Sequence, residues 1–112
     1  MFISGANNVA YGLDDGTAYA AETPITLGSS ALVFGSYDAS DLKISLNGGT
    51  PVTSSVSGFT LNTTGDLEIG RNANSGGNAY GGKIEEIVIY TSDQTANRPA
   101  IEANINNQYD IY

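Results

Sequence analysis

Leu42-Lys43-Ile44-Ser45-Leu46-Asn47-Gly48-Gly49 alternates apolar and polar residues and then runs into a turn. The two-residue period places Leu42, Ile44 and Leu46 on one face of a strand and Lys43 and Ser45 on the other. Asn47-Gly48-Gly49 supplies residues that tolerate positive φ, so a hairpin into Thr50-Pro51-Val52-Thr53 is expected. Upstream, Ala31-Leu32-Val33-Phe34-Gly35-Ser36-Tyr37 is a nearly continuous apolar run before the Asp38-Ala39-Ser40-Asp41 turn. Such a run predicts a central strand buried on both faces.

Towards the N-terminus, Phe2-Ile3, Val9-Ala10-Tyr11, Ala18-Tyr19-Ala20 and Ile25-Thr26-Leu27 are separated by turn-forming residues, which predicts several short strands. Downstream, Thr60-Leu61-Asn62 and Asp66 to Arg71 predict two more, followed by a polar loop from Asn72 to Asn78. Lys83 to Tyr90 carries the strongest strand signal, but its apolar parity changes at Glu85-Glu86, where a β-bulge is expected. One of those two carboxylates is expected to turn toward the sheet interior or a backbone amide as a structural anchor, because an unpartnered buried acid is costly. Pro99 after Asn97-Arg98 marks a helix start, and Ile101, Ile105 and Tyr109 form one apolar stripe at i, i+4 and i+8.

The chain has 112 residues, 12 acidic and 4 basic, for a net charge of -8. That length gives one domain able to bury roughly 65% of its unfolded surface. Cysteine and histidine are both absent, which excludes thiolate nucleophiles, Cys/His zinc sites, Ser-His-Asp triads and disulfides. Lys43, Arg71, Lys83 and Arg98 are scattered and form no positive stripe, so nucleic acid is not an expected partner. No apolar run has the length of a membrane span, and Met1-Phe2-Ile3-Ser4-Gly5 lacks the basic and apolar regions of a signal peptide. The expectation is a soluble chain with no membrane insertion and no secretion signal.

From Ala31 onward the order of elements is specific: an apolar strand, an alternating strand ending in Asn-Gly, Leu67-x-Ile69-Gly70-Arg71, a Gly/Asn loop, Tyr80-x-Gly82-Lys83-Ile84-x-Glu86-Ile87-x-Ile89-Tyr90, and a terminal helix. This order resembles the back half of the concanavalin A-like lectin/glucanase superfamily, in its laminin-G-like branch. The tail Arg98-x-x-Ile101-Glu102-x-x-Ile105-Asn106-x-x-Tyr109-x-Ile111-Tyr112 is similar to versions in tailed-bacteriophage virion proteins. The resemblance implies an all-β fold, an antiparallel β-sandwich of jelly-roll type, shortened, with a short C-terminal α-helix. In that frame residues 1–30 are divergent front strands, 31–90 the sandwich core and 97–109 the helix.

The family carries more strands before the equivalent of Ala31 than 30 residues supply. A sandwich short of front strands leaves an edge or apolar face that association covers. The resemblance therefore implies a non-enzymatic structural, decoration or tail-associated protein on the exterior of a phage particle, partnered by other virion proteins or by copies of itself. The alternative it implies is a lectin-like carbohydrate-binding module or adhesin.

Four readings concern chemistry. Asn72, Asn74, Asn78 and Tyr80 combine amide donors and acceptors with an aromatic ring, the composition suited to gripping a glycan. Asp14-Asp15-Gly16 and Asp38-x-x-Asp41 offer oxygen ligands for Ca²⁺, which relatives often bind, although aspartate at such places is chiefly turn chemistry. Asp66 and Glu68, two apart on an expected strand, stand about 6 to 7 Å apart by strand rise, near the spacing of about 5 to 5.5 Å in retaining glycosidases. The Glu-x-Asp-x-x-Glu pattern of the glucanase branch is absent from the chain, so a solvated strand face is expected there and no enzyme.

Overall fold

The computed structural model describes residues 2–4, 7–14, 17–60, 71–72 and 78–112. These are mostly β, with antiparallel pairing throughout and one short helix at the C-terminal end. Strands β1 (Phe2–Ser4), β2 (Asn8–Asp14) and β3 (Ala18–Pro24) form one sheet in sequence order. Strands β4 (Val33–Tyr37), β5 (Asp41–Leu46) and β6 (Val52–Ser55) form a second. A two-residue ladder joins β7 (Arg71–Asn72) to β8 (Asn78–Ala79). Helix α1 (Arg98–Tyr109) follows a 3-10 turn at Thr95–Asn97.

The period-2 pattern of β5 sorts its side chains as expected. Leu42 and Ile44 are fully buried and join Val9, Ala21 and Val56 in the core between the two sheets. Across the interface, Tyr11, Leu13 and Tyr19 stand on the same face as Val9 and Ala21. Phe59 sits edge-on to Tyr19 from one sheet and to Tyr37 from the other, with ring centroids at 5.8 and 5.5 Å. Such edge contacts place the positive rim of one ring against the negative face of the next.

Two glycines serve this arrangement. At Gly35 a Cβ would stand 2.7 Å from Cγ of Tyr11, so the absence of a side chain lets the tyrosine ring lie against the β4 backbone. At the β5–β6 turn, Asn47 (φ 50°) and Gly48 (φ 71°) are both left-handed, and the Gly49 amide donates to the Leu46 carbonyl at 2.9 Å. That is a type I′ turn, whose twist suits a hairpin. Asn47 also accepts the Leu32 amide through its side chain at 2.8 Å and donates its own amide to the Leu32 carbonyl, locking the start of β4 to the turn.

The other face of the second sheet is covered by α1. Ser45 points away from Leu42 and Ile44 and bonds to Glu102 of the helix, while Ser36, on the same face, meets Thr95 at 3.3 Å. The described residues thus stack as sheet, sheet and helix, with β4–β6 in the middle.

The structure corrects three local expectations. The run Ala31–Tyr37 is not central: among the described residues β4 is an edge and the alternating strand β5 lies in the middle. Its apolar content reflects contacts on two faces, Tyr11 on one and the helix side on the other, and not pairing on two edges. Lys83–Tyr90 is assigned to no strand, so no β-bulge forms at Glu85-Glu86, because a bulge needs a paired neighbour. Both glutamates are exposed, with Glu85 paired to Lys83 at 2.6 Å, so neither is turned into a sheet interior as an anchor.

The helix starts where Pro99 places it, with Asn97 at the N-cap and Pro within the first turn. Its stripe behaves differently from expectation. The residue that α1 buries is Glu102, whereas Ile101 and Ile105 are half-buried and Tyr109 is exposed. At the helix end Asp110 is left-handed, and the Asn106 side chain takes the amides of Ile111 and Tyr112, each at 2.9 Å, and donates to the Tyr112 carbonyl at 2.7 Å. The C-terminal residues are thereby folded back, with the Tyr112 ring against Gly48. The expected strand over Thr60-Leu61-Asn62 shows no strand at Thr60, and residues 61–70 lie outside the described ones.

Candidate functional site

The turn after β4 is built on Asp38. Its Oδ1 accepts the Ser40 amide at 3.1 Å, the Ser40 hydroxyl at 2.8 Å and the Asp41 amide at 2.9 Å. Its Oδ2 takes the ammonium of Lys43. This is an aspartate-capped turn that orients the first residue of β5. Lys43 first, then the Asp41 amide and the Ser40 donors, hold the Asp38 carboxyl well below the ordinary carboxylate range, while Asp38 in turn pushes the Lys43 ammonium up.

A depressed acid stabilises the fold above its unfolded pKa of about 4 and loses that contribution as the pH falls through the folded value. Replacing Lys43 by methionine is therefore expected to move the Asp38 titration upward towards the ordinary range, read by carboxyl NMR. An unchanged titration would show that the backbone and serine donors alone set it.

Of the proposed calcium ligands, Asp38 and Asp41 meet in this turn, Asp14 ends β2 opposite Ala18, and Asp15 lies outside the described residues. Among the described residues no group of three or more acidic side chains gathers in the way a metal ion requires. Of the proposed glycan contacts, Asn72 and Asn78 are directly paired in the β7–β8 ladder and Tyr80 follows β8. Asn74 lies outside the described residues, as do Asp66 and Glu68. Tyr80 is 47% exposed, and its ring lies close over Gly82, where a Cβ would stand 2.5 Å from the ring.

A buried polar cluster escaped the sequence reading. The Ser45 hydroxyl donates to Glu102 Oε1 at 2.7 Å, and Arg98 donates to Glu102 Oε2 at 2.7 Å, to the Ser45 hydroxyl at 3.3 Å and to the Gly49 carbonyl at 3.1 Å. Glu102 is 2% exposed and Ser45 1%. The cluster joins the helix to β5 and to the hairpin turn, and its depth denies a substrate access to the carboxylate. Its one local signal was the i, i+4 spacing of Arg98 and Glu102; nothing local linked that pair to Ser45.

Among the described residues, the largest run of exposed apolar side chains lies on the segment after β8. Ile84, Ile87, Val88, Ile89 and Tyr90 are each between 46% and 62% exposed. Glu86, Val88 and Tyr90 alternate along one side of this segment and, with Ala100, Ile101, Asn104 and Ile105 of α1, line an open groove of about 400 Å³. Ile87 and Ile89 belong to the opposite parity. Partial desolvation, and next the nearby Glu86, push the Tyr109 hydroxyl up at the end of the helix.

A scan against models of protein families finds no match to this chain. Searches of curated proteins and of solved structures find no match either. Among the described residues no helix is long and apolar enough to cross a membrane.

Proposed function

We propose that this chain is a non-enzymatic structural component of a bacteriophage virion, a decoration or tail-associated protein on the particle exterior that acts through protein–protein assembly. Its fold, in this reading, is a shortened concanavalin A-like sandwich of jelly-roll type. The observation that carries the proposal is the apolar segment Lys83–Tyr90, exposed along its length and assigned to no strand. A contiguous apolar surface of this kind marks an interaction site, because isolated chains otherwise bury or break it up. The phage-like order of residues in the C-terminal tail supplies the setting. Mass spectrometry of purified particles tests it: peptides of this chain are expected among the virion proteins, and their absence from particles of a producing host overturns the reading.

One observation favours a second reading, a carbohydrate-binding module. Tyr80 is a half-exposed aromatic directly after the strand that carries Asn78, and an exposed ring in an asparagine-rich stretch of sequence suits the apolar face and hydroxyls of a sugar. Here a glycan array with calcium added or chelated is the test. Binding that falls at least tenfold in Tyr80→Ala would support the module; no sugar retained at millimolar concentration would remove it.

A further inference from the structure

We propose that Asn47 is a covalent modification site, a deamidation site that the folded hairpin holds closed and that the C-terminal residues guard. Asn47-Gly48 is the one Asn-Gly pair in the chain. The chemistry is intramolecular in its first step. The Gly48 backbone nitrogen attacks Cγ of Asn47, a Cγ–N bond forms, and the Cγ–Nδ2 bond breaks as Nδ2 leaves as ammonia with the Gly48 amide proton. Glycine favours this step because no side chain shields its nitrogen.

Water then opens the five-membered imide at one of its two carbonyls. Addition at Cγ gives aspartate with the ordinary main chain. Addition at the backbone carbonyl gives isoaspartate, whose main chain runs through Cγ and is one atom longer. Either product adds one negative charge to a net charge of -8.

Three features of the fold hold the pair back. Closing the imide needs the Gly48 nitrogen eclipsed with Cβ about the Cα–C bond of Asn47. A type I′ turn has ψ of about +30° at its first central residue, which turns that nitrogen about 150° away. The Asn47 side chain is also tethered, because its oxygen accepts the Leu32 amide at 2.8 Å. Finally, the Tyr112 ring lies over Gly48, where a Cβ would stand 2.9 Å from the tyrosine hydroxyl oxygen. The Asn106 side chain keeps that ring in place through its bonds to Ile111 and Tyr112.

Turning the Asn47–Gly48 peptide into attack geometry therefore breaks the Leu46–Gly49 hydrogen bond and displaces Tyr112. The reaction runs through the opened turn. Once isoaspartate has formed, the extra main-chain atom shifts Gly49, whose carbonyl accepts from Arg98. An opening of the hairpin is thus recorded irreversibly at the junction with the helix.

Trypsin releases Asn47 in the peptide from Ile44 to Arg71, and fragmentation in the mass spectrometer separates it from Asn62. The full chain is incubated at mildly alkaline pH in buffer and in urea, and the peptide is followed with time. Deamidation at Asn47 is expected to be at least tenfold slower in buffer than in urea. Tyr112→Ala leaves the Leu46–Gly49 sequence intact, so its rate in urea is expected to match the wild type. In buffer it is expected to react at least threefold faster, with an unchanged circular dichroism spectrum. Asn106→Ala, which frees the same residues, is read alongside it in case one variant fails to fold. Equal wild-type rates in buffer and urea would overturn the inference, as would a folded rate that neither variant raises.

Discussion

Arg98→Met is expected to lower the unfolding free energy by about 3–5 kcal/mol, because it leaves the Glu102 carboxylate buried without its cation. Against a total of about 5–15 kcal/mol for a domain, that is a severe loss. The guanidinium bonds the carboxylate, the Ser45 hydroxyl and the Gly49 carbonyl together, so its removal also frees the helix from the hairpin turn. Urea unfolding measures the change. The combined variant Arg98→Met, Glu102→Leu, Ser45→Ala is expected to recover most of the stability, since apolar packing of similar volume replaces a cluster that is costly to desolvate. If Arg98→Met alone costs less than about 1 kcal/mol, the range of a surface ion pair, the cluster is more hydrated than its burial indicates.

Ile44→Ala is expected to cost about 2–5 kcal/mol through lost burial and the cavity left between the sheets. Ile44 is fully buried in the middle strand, where the core brings it together with Val9, Ala21, Leu42 and Val56. Its partner across the β5–β6 ladder offers an internal comparison. Val52 is opposite Ile44 in register but 43% exposed, so Val52→Ala is expected to remain within about 0.5 kcal/mol of the parent. Equal losses at the two positions would mean that another surface covers β6 in solution.

The elements most legible in the sequence were those whose causes are local. Leu42, Ile44 and Leu46 announce a strand because a two-residue period needs no knowledge of neighbours, and Asn47-Gly48 announces its turn because few residues accept positive φ. Pro99 likewise marks the helix start. The misreadings share a different cause. The Ala31–Tyr37 run looked central because apolar content records how much surface is covered and not which edges are paired. In α1 the stripe Ile101, Ile105 and Tyr109 looked like the face that packs on the sheet, yet Glu102 is the residue buried there, matched by Arg98 from the preceding turn and by Ser45.

The candidate sites divide in the same way. Asp38 and Asp41 were recognisable as a turn, and the structure joins them in one. Tyr80 and Asn78 were recognisable as a polar loop ending in an aromatic, and the ladder at β7–β8 brings Asn72 opposite Asn78. Lys83–Tyr90 was expected to form a strand and forms none among the described residues, because a strand needs a paired neighbour and the local pattern carries no record of one.

By itself, the sequence determined that this protein is built mainly of short antiparallel strands with a terminal helix, that no thiol or imidazole chemistry is available to it, and where its Asn-Gly turn and Pro-initiated helix stand. These follow from residue identity and near neighbours. Only the tertiary structure decided that Ser45 and Glu102, 57 residues apart, share a hydrogen bond, and that Tyr11 lies against Gly35. Those facts depend on which surfaces meet. Periodicity states that a face must be covered, and only packing decides by what.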